Sequence, residues 1–555
     1  MRPPSFFCNL LRMPGHREAD LATLRAVHGA ATSGDFAAAA ALAERALQRG
    51  LEHPLLYNVV ALQVERAGNV SGAAELLSRA VDIAPNDPAL RNALGLCLLR
   101  LERPAEALAQ FKALLALDSS LAFAHTGHGA ALLALAAITD AEASYRRALD
   151  LDPGQTIALA GLAHIASRRA AYIEARAWAE QALALMPGFP DAVMSLAATD
   201  LGEGLPAQAQ LRLQALLSNE QLEPVDRAYA NGLLGDVLDV QDRVPEAFAA
   251  YSACNNALRT IHAERYGSEQ SALEYVRTMT EYFKRAPALQ WQPGPVSAED
   301  APGPRGHVFL LGFPRSGTTL LEAILEGHPD VVSLEEHELL IDGIHEFMRG
   351  PEGLERLSQA TAEVLQPLRQ SYWRLAAGAG VKAAGKIFID KHPLHTLKLP
   401  LIARLFPAAK IVFVCRDPRD VVLSCFRRRF RMSAPIYELL SLEGAARYYD
   451  AVMRFADQLA DVLALDICRV RHEDLVTDFA REIKRIGAFL GLDYVPAMGD
   501  FAGRTQQRAA LTPSTAQLAQ GLSAGGIGRW RRYAPQMSSV LPWLDPWVKR
   551  FGYSS

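Results

Sequence analysis

Cysteine is scarce and scattered in this sequence. The 555 residues contain six cysteines, and no two of them stand in the C-x-x-C spacing of a zinc site. Thiols without paired spacing argue against a zinc centre or a disulfide framework, and they are typical of a reducing compartment. We therefore expect a cytoplasmic protein that binds no metal.

Long hydrophobic runs and a strong charge of one sign are absent as well. No stretch of about 18 uncharged apolar residues occurs, so no membrane span is expected, and the first twenty residues lack the apolar core of a signal peptide. The formal net charge of -4 gives no reason to expect nucleic acid as a partner. The chain is long, because 555 residues are more than a single hydrophobic core usually contains. We therefore expect a multidomain protein.

A repeat of 34 residues occupies the N-terminal half. Segments that begin at Pro54, Pro88, Ala122 and Thr156 share a small residue at the eighth position and alanine at the twentieth. Small side chains at these places let two antiparallel helices pack closely. The residues concerned are Ala61, Gly95, Gly129 and Ala163 at the eighth position and Ala73, Ala107, Ala141 and Ala175 at the twentieth. The period and pattern resemble the tetratricopeptide repeat.

Weaker copies of this pattern flank the four segments at roughly 19–53, 190–223 and 226–260. They bring the total to about seven repeats, which predict an all-α tetratricopeptide solenoid over residues 19–290, after an N-terminal tail, residues 1–18. Such a solenoid offers a binding surface and carries no chemistry of its own. Its expected partner is a polypeptide ligand or acceptor.

The pattern changes after a segment rich in proline and glycine, residues 291–306, which marks a linker. Four short apolar runs then indicate buried parallel strands, at 307–312, 386–390, 410–415 and 467–472. Helical patterns alternate with them, including 318–327, with Gly327 as the expected C-cap, and 476–492. The alternation predicts an α/β domain with an open parallel sheet over residues 307–555.

The stretch GFPRSGTTLL, residues 312–321, has the frame of a phosphate-binding loop but not its lysine. Thr318 stands at the lysine position, and Arg315 lies inside the loop. Strand, glycine-rich loop and helix form the context in which backbone N–H groups cradle an anion. Nucleoside triphosphatases need the lysine and a metal-binding acid, whereas here Lys391 directly follows Asp390 at a strand end. The loop therefore suits a donor group of lower charge than a γ-phosphate, such as a sulfonate.

Four ordered blocks resemble those of the sulfotransferases, and above all the tyrosylprotein sulfotransferases. They extend over roughly 305–545 and read PRSGTTLLEAILEGHPDVVSLEE, FIDKHP, RLFPAAKIVFVCRDPRDVVLSCFRRRF and GIGRWRRY. The resemblance implies a P-loop-type sulfotransferase domain that binds 3′-phosphoadenosine 5′-phosphosulfate without a metal. The loop is implied to hold the 5′-phosphosulfate, and Arg416, Ser424 and Arg428 the 3′-phosphate.

The resemblance also implies roles for individual residues. The expected donor-binding residues are Pro314, Arg315, Ser316, Gly317, Thr318, Thr319, Arg416, Ser424, Arg428, Ser514 and Arg529. Glu336 is the implied general base for the acceptor hydroxyl, and Glu335 and His392 are the alternatives. Loop amides, Arg315 and Lys391 are expected to stabilise the charge that develops on the transferring group.

These residues predict a sulfotransferase that acts on a hydroxyl acceptor, first of all a protein or peptide tyrosine. A small phenolic or hydroxylated metabolite is the alternative acceptor. Two competing classes are a nucleotide kinase, which the missing loop lysine opposes, and a non-catalytic repeat scaffold with a nucleotide-binding domain. His472 stands where the family has a tyrosine. A fragment that begins near Ala298 is expected to bind the donor, because every nucleotide block follows it.

Overall fold

A computed structural model describes residues 18–267, 271–286, 288–291, 303–463, 465–507 and 521–554. The chain forms two compact units, which divide between Glu203 and Gly204. The first unit is a stack of helices, and the second combines helices with a five-stranded sheet. The all-α repeat region followed by an α/β domain is therefore confirmed.

Eleven helices account for the described secondary structure of the first unit. They are α1 (Glu18–Thr32), α2 (Phe36–Gln48), α3 (Pro54–Arg66), α4 (Val70–Ile83), α5 (Pro88–Arg100), α6 (Pro104–Leu117), α7 (Ala122–Ala134), α8 (Ile138–Leu151), α9 (Thr156–Arg168), α10 (Tyr172–Leu185) and α11 (Pro190–Gly202). Helices α3, α5, α7 and α9 begin at the four segment starts that the repeat predicts. Each pairs with the helix that follows it, as a tetratricopeptide hairpin does.

The small residues at the eighth repeat position are required by aromatic rings of the paired helix. A Cβ on Gly95 would lie 2.6 Å from the ring of Phe111, and a Cβ on Gly129 would lie 2.8 Å from that of Tyr145. Both rings are buried. Glycine at these positions therefore lets each ring fill the space between the two helices of its hairpin.

One backbone position in the turn between paired helices is left-handed at every repeat. The residues with positive φ recur at intervals of 34 and are Gly34, Gly68, Glu102, Ala136, Ala170 and Gly204. Three of the six turns use glycine, which adopts this conformation without strain. The other three hold a residue with a Cβ in the same conformation.

Within the described ranges, seventeen α-helices belong to the second unit. They are α12 (Pro206–Leu217), α13 (Pro224–Val240), α14 (Val244–Tyr266), α15 (Ala272–Arg285), α16 (Thr318–Leu325), α17 (Ile341–Phe347), α18 (Pro351–Gln359), α19 (Ala362–Gly378), α20 (Leu399–Leu405), α21 (Pro418–Arg427), α22 (Ala434–Glu438), α23 (Leu442–Val462), α24 (His472–Thr477), α25 (Phe479–Leu490), α26 (Phe501–Gln507), α27 (Ala534–Met537) and α28 (Leu541–Arg550). Helices α12 to α15 thus lie in the same compact unit as the sheet.

The sheet is parallel throughout and has the strand order β2-β3-β1-β4-β5. The strands are β1 (Gly306–Gly312), β2 (Val331–Glu335), β3 (Ile387–Lys391), β4 (Lys410–Cys415) and β5 (Asp466–Arg471). Strand β2 was not predicted, because its two valines are followed at once by Ser333. Strand β3 extends to Lys391, which pairs with Leu310 and with Glu335, so the predicted end at Asp390 is one residue short.

Alternate residues of the central strand β1 face two separate cores. Val308 and Leu310 pack in the core that also contains α16 and α25, whereas Phe309 and Leu311 pack in the larger core. The larger core includes buried side chains from α13, α14 and α15, among them Tyr251. Helices from the end of the repeat region therefore cover one face of the sheet.

Two predicted helix ends differ in the structure. Helix α16 ends at Leu325 with Glu326 as C-cap, so Gly327 is not the capping residue. The glycine is needed for packing instead, since a Cβ there would lie 2.5 Å from the carbonyl oxygen of Ala497. The helix predicted over 476–492 is two helices, α24 and α25, because the backbone of Asp478 leaves the helical conformation.

The described residues contain no helix that combines the length and apolar character needed to cross a membrane. The five cysteines within the described ranges are buried and free of disulfides. Both findings concern the described part of the chain.

Candidate active site

A cavity of about 710 Å³ opens at the carboxyl edge of the sheet in the second unit. Its walls include Arg315, which follows β1, His392, which follows β3, Arg416, which follows β4, and His472, which follows β5. Ligands of open parallel sheets bind at this edge, because the connecting loops of successive strands meet there. The topology therefore brings together four blocks that are far apart in the sequence.

The glycine-rich loop reaches the cavity through two left-handed residues. Arg315 has φ 70° and Gly317 has φ 106°, and α16 begins directly after the second. A Cβ on Gly317 would lie 2.5 Å from Nδ1 of His472, so only glycine fits there. No described side chain caps this end of α16, and the backbone N–H groups of its first turn are available to an anion.

The predicted 3′-phosphate block makes direct contact with the loop. The Arg315 Nε donates a hydrogen bond to the Ser424 hydroxyl at 3.1 Å. Arg416 donates to the carbonyl oxygen of Arg315 at 3.3 Å and to that of Gly526 at 2.5 Å. Three of the four blocks that the sequence singled out are thus joined by hydrogen bonds around one cavity.

The cavity is strongly cationic. Burial, with the nearby charges of Arg428 and Arg416, lowers the pKa of Arg315 to about 9. Burial, with the charges of Arg416 and Arg315, lowers the pKa of His472 to about 3. At neutral pH the arginines are therefore charged and His472 is neutral, which leaves an excess of positive charge facing the cavity.

Several buried polar atoms in the cavity wall have no hydrogen-bond partner within the described ranges. They are Nε of Arg416, Arg427 and Arg529 and Nδ1 of His472. Buried donors without acceptors are costly, so their presence fits a ligand that supplies acceptors. A cavity with four or more guanidinium groups and a loop of anion-binding type fits an anionic ligand with more than one acidic group.

Lys391 lies behind the cavity wall and contacts carboxylates. Its ammonium is fully buried and lies 2.7 Å from Glu335, 3.0 Å from Glu336 and 3.5 Å from Glu322. Burial alone would lower the Lys391 pKa, but the three carboxylates hold it above its ordinary value. Burial in turn raises the pKa of Glu322, whereas the Lys391 cation opposes that shift. The lysine is therefore charged and holds Glu336 directly.

Glu336, the predicted base, lines the cavity with a side chain that is 51% exposed. Burial acts to raise its pKa, but Lys391, His392 and Arg315 outweigh it and bring the pKa below its ordinary value. Its backbone has φ 50°, and its N–H donates to the carbonyl oxygen of Lys391 at 2.8 Å. Glu336 is thus ionised at neutral pH, as a proton acceptor must be.

The two alternative bases occupy different positions. Glu335 is hydrogen-bonded to Lys391 and does not belong to the described lining of the cavity. His392 does line it, and burial together with His395 lowers its pKa to about 3, which makes it a weak base. Among the three candidate bases, Glu336 is the one that is ionised at neutral pH and also lines the cavity.

His392 also belongs to a small cluster beside the cavity. Its ring stacks on that of His395 with centroids 4.2 Å apart, and His395 lies 3.0 Å from Glu338. The three side chains offer ligand atoms within 4.8 Å of one another, so the cluster could hold a metal ion. Metal binding to this cluster would contradict the prediction of a metal-free site.

The structure brings most of the predicted site residues together. Those that line the cavity are Pro314, Arg315, Gly317, Thr318, Thr319, Glu336, Arg416, Ser424, Arg428 and Arg529. Ser316 is buried inside the loop, where its hydroxyl accepts from the N–H of Phe313 at 3.3 Å. Lys391 lies behind Glu336, and Ser514 lies outside the described residues.

Sequence reasoning missed an apolar part of the lining. Leu394, Phe430, Met432 and Ile436 contribute to the wall of the cavity. Phe430 lies within the basic run 427–431, which by itself reads as a solvated charged face, and Met432 and Ile436 follow that run. Their spacing has no helical or strand period, so no sequence signal places them at the site.

Comparisons with known proteins match the two halves separately. Residues 307–496 match the family model described as "Sulfotransferase family", and residues 24–88 and 66–122 match that of the tetratricopeptide repeat. Protein-tyrosine sulfotransferase A of Caenorhabditis elegans is 26% identical over 261 residues, which cover 44% of this chain and 67% of the relative.

Two further relatives share the C-terminal region. Nodulation protein NoeE of Sinorhizobium fredii is 32% identical over 222 residues, which cover 36% of this chain and 52% of the relative, so this chain spans about half of that protein's length. The solved sulfotransferase domain of the Synechococcus PCC 7002 olefin synthase aligns with a TM-score of 0.34 at 26% identity, covering 47% of this chain and 100% of that domain. Residues 24–122 are thus similar to tetratricopeptide repeats, and residues 307–496 are similar to the sulfotransferase family.

Proposed function

We propose that the second unit transfers a sulfonate group from 3′-phosphoadenosine 5′-phosphosulfate to a hydroxyl acceptor, and that this acceptor is a tyrosine of a protein or peptide. The observation that carries the proposal is the cavity in which the loop 314–319, Arg416, Ser424 and Glu336 meet. The donor, when bound, supplies an activated sulfonate attached to a phosphate leaving group. The remaining chemistry falls to the residues of this chain.

Binding and charge stabilisation are assigned to the arginines and the loop. The first turn of α16 and Arg315 line the cavity and would hold the phosphosulfate, where fixed donors stabilise developing negative charge. Arg416 and Ser424 are held against that loop by hydrogen bonds and would bind the 3′-phosphate beside it. Charge-assisted hydrogen bonds of this kind are the strong ones.

Proton removal is assigned to Glu336. A phenol has a pKa near 10 and must lose its proton to attack sulfur at neutral pH. Glu336 is ionised and lines the cavity, and Lys391 fixes its orientation from behind at 3.0 Å. The apolar wall around Phe430, Met432 and Ile436 offers a surface for an aromatic ring. A tyrosine side chain matches both features.

Donor identity is tested by calorimetry with 3′-phosphoadenosine 5′-phosphate in the presence of EDTA. We expect a Kd in the micromolar range, or about −8 kcal/mol, and much weaker binding of adenosine 5′-monophosphate. Equal binding of the two nucleotides would contradict the assignment of Arg416 and Ser424. In a second titration without EDTA, Zn²⁺ should leave the Kd unchanged, and a metal requirement would point instead to the cluster of Glu338, His392 and His395.

Acceptor identity is tested with a radiolabelled donor and a cell lysate. The enzyme and its Glu336→Gln variant are incubated side by side, and labelled protein is separated from labelled small molecules. We expect label in protein, released as tyrosine sulfate on alkaline hydrolysis, with the wild-type enzyme only. Label confined to small molecules would establish the metabolite alternative, and no transfer to any acceptor would favour a nucleotide-binding scaffold.

A further inference from the structure

Asp239 lies on α13, far outside the blocks that resemble a sulfotransferase, yet it contacts the wall of the cavity. Its carboxylate is 1% exposed and lies 2.5 Å from the Arg427 guanidinium and 3.0 Å from that of Arg532. It also accepts a hydrogen bond from the Tyr533 hydroxyl at 2.7 Å and forms an ion pair with Arg529. The Asp239 carboxylate thus contacts four donors, one at residue 427 and three within residues 529–533.

Two of these four donors belong to the cavity. Arg427 and Arg529 line it, and the Nε atom of each is buried without a hydrogen-bond partner in the described ranges. Each guanidinium is therefore held at a terminal nitrogen by Asp239 and keeps further N–H groups for another acceptor. A guanidinium has five N–H groups in a rigid fork, so fixing one side sets the direction of the rest.

The charges around Asp239 do not balance. Three guanidinium groups surround the Asp239 carboxylate, and Asp242 pairs with one of them, Arg532, at 2.6 Å. Arg428 adds a further positive charge to the cavity wall, so cations still outnumber carboxylates. Burial acts to raise the pKa of Asp239, but Arg427 and Arg529 outweigh it and lower the pKa. The carboxylate is therefore ionised, and an excess of positive charge remains for an anionic ligand.

We propose that Asp239 is a positioning residue for the donor, which orients Arg427 and Arg529 toward the 3′-phosphate. This inference rests on the proposed function, because it assumes that the cavity binds a nucleotide with a 3′-phosphate. It assigns a helix at the end of the repeat region to the architecture of the donor site. Asp239 itself does not contact the donor.

The chain contains a matched control on the same helix. Asp236, one turn before Asp239, lies 2.5 Å from the Arg429 guanidinium and accepts a hydrogen bond from the Tyr251 hydroxyl at 3.0 Å. Arg429 belongs to the same basic segment as Arg427 but not to the described lining of the cavity. The Tyr251 hydroxyl also accepts a hydrogen bond from Arg427 at 3.2 Å. Asp236→Asn keeps an acceptor for Tyr251, so it should disturb a similar ion pair and leave this contact with Arg427 in place.

The test measures nucleotide binding by the full-length chain in EDTA. Calorimetry compares 3′-phosphoadenosine 5′-phosphate with adenosine 5′-monophosphate for the wild-type protein, Asp239→Asn and Asp236→Asn. For Asp239→Asn we expect the Kd of the bisphosphate to rise about tenfold or more, with the Kd of the monophosphate within about twofold. Asp236→Asn should keep both values within about twofold.

Two kinds of result would contradict these expectations, one for the positioning role and one for the proposed donor. An unchanged Kd in Asp239→Asn, an equal loss for both nucleotides, or the same selective loss in Asp236→Asn would overturn the positioning role. A wild-type protein without preference for the 3′-phosphate would instead refute the proposed donor. If circular dichroism shows that Asp239→Asn does not fold, Asp239→Glu replaces it under the same criteria, since it keeps the charge and displaces the carboxylate by one methylene.

Discussion

At the scale of single residues, the site depends on how a base and a cation share one cavity. Glu336 removes a proton in the proposed reaction, whereas Arg315 stabilises charge on the transferring group. The two functions respond differently to the acidity of the acceptor. A phenol with a pKa near neutral ionises without help, but charge on sulfonyl oxygens still needs a donor.

We expect Glu336→Gln to lose turnover by roughly 10²–10⁴-fold on ordinary phenols, because a general base is removed. It should recover most of this loss on an acidic nitrophenol. Arg315→Ala should lose roughly 10²–10³-fold on both, by analogy with a lost oxyanion donor. Steady-state rates over a series of phenols make the comparison. If Glu336→Gln is equally impaired on acidic and ordinary phenols, then His392 or Glu335 becomes the candidate base.

Lys391 leads to a prediction about pH. In the wild-type enzyme the Glu336 pKa lies below its ordinary value, so the base stays ionised as the pH falls. The value of kcat/KM should therefore stay constant between about pH 5 and 8. Lys391→Met removes the cation that favours the carboxylate, so the Glu336 pKa rises and the base is protonated at a higher pH. The acid limb of kcat/KM should therefore move upward into the measured range.

The control for this profile is Lys382→Met, which removes a lysine that is exposed to solvent. It should leave the profile unchanged. A Lys391→Met enzyme that is uniformly slower, with no shift of its acid limb, would show that the lysine does not act through Glu336. It would favour the direct contact with the sulfonyl group that the sequence comparison implies.

At the scale of elements, the repeat turns contain a recurring strain. Ala136 follows α7 in the left-handed conformation with φ 61°, at a position where other repeats have glycine. A residue with a Cβ is less stable there by roughly 1–2 kcal/mol, and glycine gives back roughly 0.4–1 kcal/mol through the entropy of the unfolded chain. Ala136→Gly should therefore stabilise the repeats by up to about 1 kcal/mol.

Denaturant midpoints of the full-length chain, followed by helical circular dichroism, measure this effect. The control is Ala130→Gly, which lies inside α7 and should destabilise by roughly 1 kcal/mol because glycine is a poor helix former. A midpoint that falls in Ala136→Gly as it does in Ala130→Gly would mean that the turn is not strained by its alanine.

The elements that the sequence predicts correctly are those with a strong local pattern. The starts of α3, α5, α7 and α9 follow from a period repeated four times, and β1 and β4 follow from continuous apolar runs. Strand β2 escapes because its apolar run stops after two valines at Ser333. Its last residue, Glu335, is recognisable only once the pairing with Lys391 is known.

The residues of the candidate site likewise include some that stand in local motifs and some that only tertiary packing brings there. Arg315, Arg416 and Ser424 stand in ordered motifs, so their meeting in one cavity could be anticipated from the blocks. Asp239 carries no such signal, because it occupies an ordinary position of a repeat helix and its partners are 188 residues or more away. The apolar wall around Phe430 is likewise set by tertiary packing and not by a local period.

At the scale of the whole molecule, the compact units divide between Glu203 and Gly204, whereas the sequence suggested a linker at 291–306. Helices α13, α14 and α15 contribute buried side chains to the larger core of the sheet. A fragment that begins near Ala298 lacks these helices and Asp239. This packing changes the expectation that such a fragment binds the donor.

We now expect a fragment of residues 204–555 to bind 3′-phosphoadenosine 5′-phosphate with the affinity of the full chain. The shorter fragment from Ala298 should aggregate or lose binding, because it exposes the apolar face that those helices cover. Calorimetry on both fragments, after gel filtration to confirm that they are monodisperse, makes the comparison. Full affinity in the shorter fragment would restrict the donor site to the family domain alone.

The contacts of Asp239 have a consequence for the order in which the chain is made. A ribosome produces Asp239 188 residues before Arg427 and 290 residues before Arg529. N-terminal segments generally fold first during synthesis, but a carboxylate without its arginines is costly to bury. Asp239 on α13 can therefore reach its final, buried environment only after Arg427 and residues 529–533 have been made. The repeats can form early, whereas these contacts of the donor site form only after residues 529–533 have been made.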